Sequence, residues 1–136
     1  MRILGLDLGT KTLGIAISDR LGLIANPYKT IKYNNQEDLI NELEEIIKKE
    51  QITKIILGNP KNMNNSETEA ANRSKEFKKL LEDNFNLEVI LIDERLSTKE
   101  AENILISGDM SRKKRKNMID KLAATIILEN YLNRKR

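Results

Sequence analysis

The chain has 136 residues, of which 39% are hydrophobic and 33% charged, and its formal net charge is +3. That length suits one domain with its own apolar core, the balance is that of a soluble globular protein, and no apolar run approaches the ~20 residues that span a bilayer. Cys and His are both absent, which excludes disulfides, thiolate nucleophiles, imidazole bases and Cys- or His-ligated metals. Chemistry is left to carboxylates, lysines and hydroxyls, and a hard-cation site of Asp and Glu is the natural survivor.

Residues 2–8 form a short apolar run holding one acid and ended by Gly9, the pattern of a buried strand. The start carries no signal-peptide pattern, so a cytoplasmic protein is expected. Residues 12–18 alternate Leu13, Ile15 and Ile17 with Gly14, Ala16 and Ser18. The turn Gly9-Thr10-Lys11 is too short for a crossover, so these two strands pair as a hairpin. A third strand is expected over 28–33. Leu39, Ile40, Leu43, Ile46 and Ile47 then recur at helical spacing between Glu37 and Glu50, and Lys54–Leu57 is a strand. Ser66 and Glu69 have capping-box spacing and open a helix to about Phe85. Val89–Ile92 is a strand ending in Asp93-Glu94-Arg95, and Ser97 with Glu100 starts a short helix to about Ile106. After a basic loop, Arg112-Lys113-Lys114-Arg115-Lys116, a last helix is expected from roughly Met118 to Leu132. The order β-β-β-α-β-α-β-α-α predicts one α/β domain over 1–136, with a mixed five-stranded sheet, its first three strands antiparallel, flanked by helices. Ligands of such sheets gather beyond the carboxyl ends of the strands.

Three acids stand at odd places. Asp7 is the penultimate residue of a buried strand, on the face of Ile3 and Gly5. An unmet carboxylate there is costly, so a cation or hydrogen bonds from the Gly9-Thr10 turn must meet it. Glu94 opens the loop after Val89–Ile92. Its bland role is an ion pair with Arg95, and Asp93 competes with it, since alternation turns only one of the two toward a site. Asp120 lines up with Ala123, Ala124, Ile127 and Tyr131, the apolar stripe of its helix. Capping, with Asn117 as N-cap and Asp120 at the third helical position, explains a first-turn acid but not its place on the buried face. Carboxylates converging from two strand ends and a packed helix suit divalent ions about 3.5–4 Å apart, the arrangement of two-metal phosphoryl transfer, with Mg²⁺ or Mn²⁺ as the cation.

Four ordered blocks then carry a resemblance over nearly the whole chain. They are Gly5-Leu6-Asp7-Leu8-Gly9-Thr10-Lys11-Thr12-Leu13-Gly14-Ile15-Ala16 with Ser18-Asp19, Gly58-Asn59-Pro60-Lys61-Asn62-Met63, Asp93-Glu94-Arg95-Leu96-Ser97-Thr98 with Glu100-Ala101, and Asp120-Lys121-Leu122-Ala123-Ala124 with Ile126-Ile127-Leu128-Glu129 and Tyr131. The chain resembles the YqgF/RuvX family, whose members are described as Holliday junction resolvases or as pre-16S rRNA processing nucleases. The resemblance implies an RNase H-like fold and a metal site at Asp7, Glu94 and Asp120, and so favours Glu94 over Asp93. It makes Lys11 and Arg95 phosphate contacts, and Asn62, Met63 and Asn64 a substrate-facing loop. Asn59 and Asn65 depart from the family pattern without touching the acids.

The basic run 112–116 lies just before Asp120 and becomes a clamp on a nucleic-acid backbone. Aromatic residues are 4% of the chain, so shape and phosphate contacts, more than base stacking, should recognise the substrate. The expected activity is metal-dependent hydrolysis of phosphodiester bonds in 5′-end maturation of pre-16S rRNA, on structured RNA and with ribosomal association. The alternatives are junction resolution on branched DNA and a non-catalytic RNA-binding factor on the same fold. An actin-like ATPase would need two such domains. Junction cutting requires a symmetric dimer, whereas RNA processing is open to a monomer.

Overall fold

The computed structural model describes residues 2–9, 11–59, 69–93 and 112–134, with the side chains of 59, 69–71, 93 and 112–120 outside that description. The elements are β1 (Arg2–Leu8), β2 (Thr12–Ser18), β3 (Ala25–Lys32), α1 (Gln36–Glu50), β4 (Ile52–Asn59), α2 (Glu69–Phe85), β5 (Glu88–Asp93) and α3 (Arg112–Arg134). They build a five-stranded sheet in the order β3-β2-β1-β4-β5. The first hairpin closes as its short turn requires, Leu8 opposite Leu13, and β3 adds antiparallel to β2. β4 and β5 run parallel to β1, joined through α1 and α2. No helix among the described residues is long and apolar enough to cross a membrane.

The two faces of the sheet are built differently. On one, branched side chains (Leu4, Leu6, Leu13, Ile15, Ile55, Leu57 and Val89) meet Leu39, Leu43 and Ile46 of α1 and Phe77 and Leu81 of α2. These carry the period-2 and period-3.6 patterns that mark a shared core. On the other, α3 lies across a floor of small residues. Ala16, Ile56 and Ile92 pack with Ala124, Ile127, Leu128, Tyr131 and Leu132, while a Cβ on Gly5 would stand 2.8 Å from the Leu128 Cβ and 3.1 Å from the Ala124 carbonyl oxygen. The helix therefore rides close to the backbone of β1, as its own small Ala123 and Ala124 allow.

Two boundaries depart from expectation. β3 begins at Ala25 rather than 28, because Asp19 organises the preceding turn: its Oδ1 accepts from the N–H of Leu23 (2.7 Å) and of Ile24 (3.2 Å). Those bonds hold the Asp19 carboxyl below its ordinary value. The last helix begins at Arg112, six residues before Met118. The basic segment 112–116 is thus the start of the helix and not a loop, and Asn117 is an interior helical residue and not the N-cap of Asp120. Arg and Lys are good helix formers, and like-charge clustering hid that propensity. The helix expected over Ser97–Ile106 and the capping residue Ser66 lie outside the described residues.

Gly5→Ala forces backbone or Leu128 to shift, and overpacking of that kind costs about 1–3 kcal/mol. Urea denaturation should show the loss, whereas Ala16→Gly, which only removes packing from the same floor, should leave α3 seated and cost less than Gly5→Val.

Candidate active site

Asp7 is half-buried near the carboxyl end of β1, on the α3 face. Its partner across β2 is Gly14, and Gly14 in turn faces Thr30 of β3. On the other side, β4 is in step with β1 through Leu6 and Leu57, so the next β4 residue is Gly58, which pairs with Ile92 of β5. The row across the sheet reads Thr30, Gly14, Asp7, Gly58, Ile92. Two buried glycines flank the carboxylate in this row, so neither in-row neighbour places a Cβ beside it, and the donor that Asp7 offers a cation is hard oxygen.

The turn after Asp7 is fixed by hydrogen bonds. Gly9 N–H donates to the Thr12 carbonyl (2.7 Å) and Tyr33 N–H to the Lys11 carbonyl (3.1 Å), while the Tyr33 hydroxyl donates to the Gly9 carbonyl (2.8 Å). Lys11 is left exposed at the tip. Burial raises the Tyr33 hydroxyl above its ordinary 10.0.

α3 runs antiparallel to β1, and its contacts follow β1 step by step. Tyr131 takes a hydrogen bond from Lys54 Nζ (3.1 Å), and Lys54 stands opposite Ile3. Leu128 and Ala124 lie over Gly5. One helical turn nearer the helix start, Lys121 shares a groove with Thr30, a member of the Asp7 row. In β5, position 93 has the parity of Val89 and Leu91, which face α1 and α2, whereas Ile90 and Ile92 face α3.

Of the expected ligands, Asp7 has a described side chain. Asp120 is placed by its helical backbone, and Glu94 lies outside the described residues, as do Arg95, Asn62, Met63 and Asn64. Among the described residues no three Asp or Glu side chains gather to hold a metal. The backbone of 112–116 forms the first turns of α3, N-terminal to Asp120. Sequence reasoning missed Tyr33, Gly14 and Gly58. Gly14 was legible as a small residue in an apolar alternation, but its pairing with Asp7 is set by register alone.

The chain matches, over residues 1–134, the family model RuvX, described as Holliday junction resolvase. A relative from Geobacillus sp. is 52% identical over the full length of both chains, and one from Bacillus subtilis is 52% identical over 98% of each; both carry the provisional name pre-16S rRNA nuclease. Among solved structures, Thermus thermophilus RuvC in complex with a Holliday junction substrate superposes with a TM-score of 0.62 at 14% identity, covering 99% of this chain and 95% of that one. The fowlpox virus resolvase with junction DNA gives 0.59 at 16% identity, covering 99% of each. At such identities the likeness is one of fold, and the RNase H-like architecture expected from the resemblance is the one observed.

Tyr33→Phe removes the bond to Gly9 and should cost about 0.5–1.5 kcal/mol. Because folding raises the Tyr33 value, its contribution is complete below pH 10.0 and is lost as pH rises through the folded value. Urea midpoints of wild type and Tyr33→Phe should therefore converge between pH 9 and strongly alkaline solution.

Proposed function

The chain belongs to the RuvX family and is a nuclease, and from that premise we propose that it hydrolyses phosphodiester bonds of pre-16S rRNA at a divalent-metal site made by Asp7, Glu94 and Asp120. The observation that carries this reading is the Asp7 row: a half-buried carboxylate near the strand carboxyl end, flanked by Gly14 and Gly58, with α3 seated over Gly5 two residues before it. A four-residue helical step of about 6 Å matches a two-residue strand step of about 6.6 Å. The antiparallel run of Tyr131, Leu128 and Ala124 along β1 therefore favours Asp120 as the helix residue that meets Asp7. Parity in β5 supports Glu94, two residues beyond Ile92, over Asp93. The names of the relatives support RNA as substrate.

With these residues, Mg²⁺ or Mn²⁺ would supply a nucleophile at neutral pH and stabilise the leaving oxygen. The chain's part is to hold the carboxylates ionised in fixed positions and to bind the flanking phosphates. Arg112–Lys116 support the second task. Five cations at the start of a helix oppose its dipole and one another, a local conflict that a polyanion offsets. Lys11, exposed on the turn next to Asp7, suits a phosphate near the scissile bond.

A second reading, junction resolution, draws on the family description and on the resolvases sharing the fold. The two are separated by incubating wild type and Asp7→Asn with labelled pre-16S rRNA fragments and a four-way junction, with Mg²⁺, Mn²⁺ or EDTA. Wild type should cut the RNA only with metal. Asp7→Asn should lose more than the roughly 10–100-fold that removing an outer partner of a metal ligand costs. Preferential cutting of the junction would transfer the assignment to resolution; equal cutting by the variant would assign the activity to a contaminant. Binding without cutting would make the chain an RNA-binding factor. Mg²⁺ should also raise the thermal midpoint of wild type, by mass action on the folded state, and leave that of Asp7→Asn nearly unmoved.

A further inference from the structure

On the β3 side of Asp7 the sheet carries a feature that the metal site does not use. Lys29, Thr30 and Lys32 of β3 and Lys121 of α3 line an open groove of about 490 Å³. Thr30 belongs to the Asp7 row through Gly14, and Lys121 directly follows Asp120. Among the described residues none of the three ammonium groups is paired with a carboxylate. Lys29 and Lys32 are exposed and Lys121 is half-buried against the groove wall. Lys32, on the Thr30 side of β3, and Lys121 of α3 thus bring cations from two elements to one channel, with Lys29 at its edge opposite Ile15, and no carboxylate lines it among the described residues.

We propose that this groove binds the sugar-phosphate backbone of the substrate strand on one side of the scissile phosphate. The inference rests on the nuclease reading above and deepens it. Two strand spacings separate Thr30 from Asp7, about 10 Å. The groove therefore holds phosphates near the bond that Asp7 serves but displaced from it along the strand. The groove lies toward β3, whereas Glu94 follows β5 at the opposite sheet edge, so the substrate strand leaves the site over β2 and β3. Lysines suit this task because a flexible ammonium binds phosphate as a point charge, whatever the base.

Lysines on an edge strand also guard against strand-to-strand association, and β3 is an edge. That role predicts aggregation when they are removed; it does not involve Lys121, on a helix, and it predicts no change in nucleic-acid binding. The test is binding of a labelled pre-16S rRNA fragment in EDTA across a salt series, for wild type and for a variant carrying Lys29→Gln, Lys32→Gln and Lys121→Gln. The slope of log affinity against log salt should shrink by about 0.7 for each phosphate that is no longer neutralised, up to about 2 in all. Arginine at the three positions should restore it. Lys48→Gln with Lys79→Gln, on the helices of the other face, should leave it unchanged.

An unchanged slope in a monodisperse triple variant overturns the proposal, as does an equal reduction of the slope in the Lys48 and Lys79 control. Should the triple variant aggregate, Lys121→Gln alone carries the test: a slope smaller by about 0.7 supports the groove, and an unaltered one overturns it. Cleavage assays run in parallel keep the two readings apart. A wild type that cuts while the slopes stay equal defeats the groove alone; groove-dependent binding without cutting defeats the nuclease site and leaves the groove standing.

Discussion

The close seating of α3 on β1 is the contact on which the rest of the molecule depends. It exists because the floor beneath the helix lacks a side chain at Gly5 and has only a methyl at Ala16, while the helix offers Ala124 and Leu128 in return. Dispersion and burial reward such an approach only when no atom stands in between. The same contact has a positional effect. A helix held backbone-close and antiparallel to β1 moves along the strand in near-equal steps, so fixing Tyr131 at Lys54 and Leu128 at Gly5 also fixes where the helix start passes. The opposite face has no such precision to keep and is filled with bulky Leu, Ile and Phe around α1 and α2.

The proposed site lies farther along β1, beyond that close packing. Toward the carboxyl ends of β1 and β4 the row of side chains opens around Asp7, between two glycines, and the following turn is tied down by Tyr33. The floor that admits the helix at Gly5 becomes, two residues on, the space beside a carboxylate. Small residues thus serve twice on this face, Gly5 of β1 in close packing against α3 and Gly14 of β2 with Gly58 of β4 as the neighbours of Asp7.

Electrostatics runs in the same direction. A chain without His or Cys has only acids to hold a cation, and in the proposed site acids near one another would repel until something positive joined them. The reading adds Lys11, the basic start of α3 and the lysines of the β3 groove as the groups that meet phosphate. The two charge patterns have complementary demands, cations for the acids and phosphates for the bases, which a metal-bound nucleic acid meets together.

Much of this was legible from residues alone. The hairpin followed from a turn too short to cross over, the α1/α2 face from simple periodicity, and the place of Asp7 on the face of Ile3 and Gly5 from strand alternation. The start of α3 was misread because five like charges look solvated, while their intrinsic preference for helix counts only once the rest of the helix is anchored by packing. The choice between Asp93 and Glu94 was open because adjacent residues differ only in face, and face is assigned by what packs on Val89 and Ile90, which lies far away in sequence. For the same reason the groove of Lys29, Lys32 and Lys121 was invisible: its members are separated by some ninety positions and meet only through register and helix docking. Local pattern determined the elements, the hard-oxygen chemistry and the candidate acids, since each depends on neighbours in the chain. Which glycines flank Asp7, what holds its turn and which lysines line the groove beside Thr30 were decided by tertiary structure, because pairing register and helix seating are properties of contacts between segments that no segment encodes by itself.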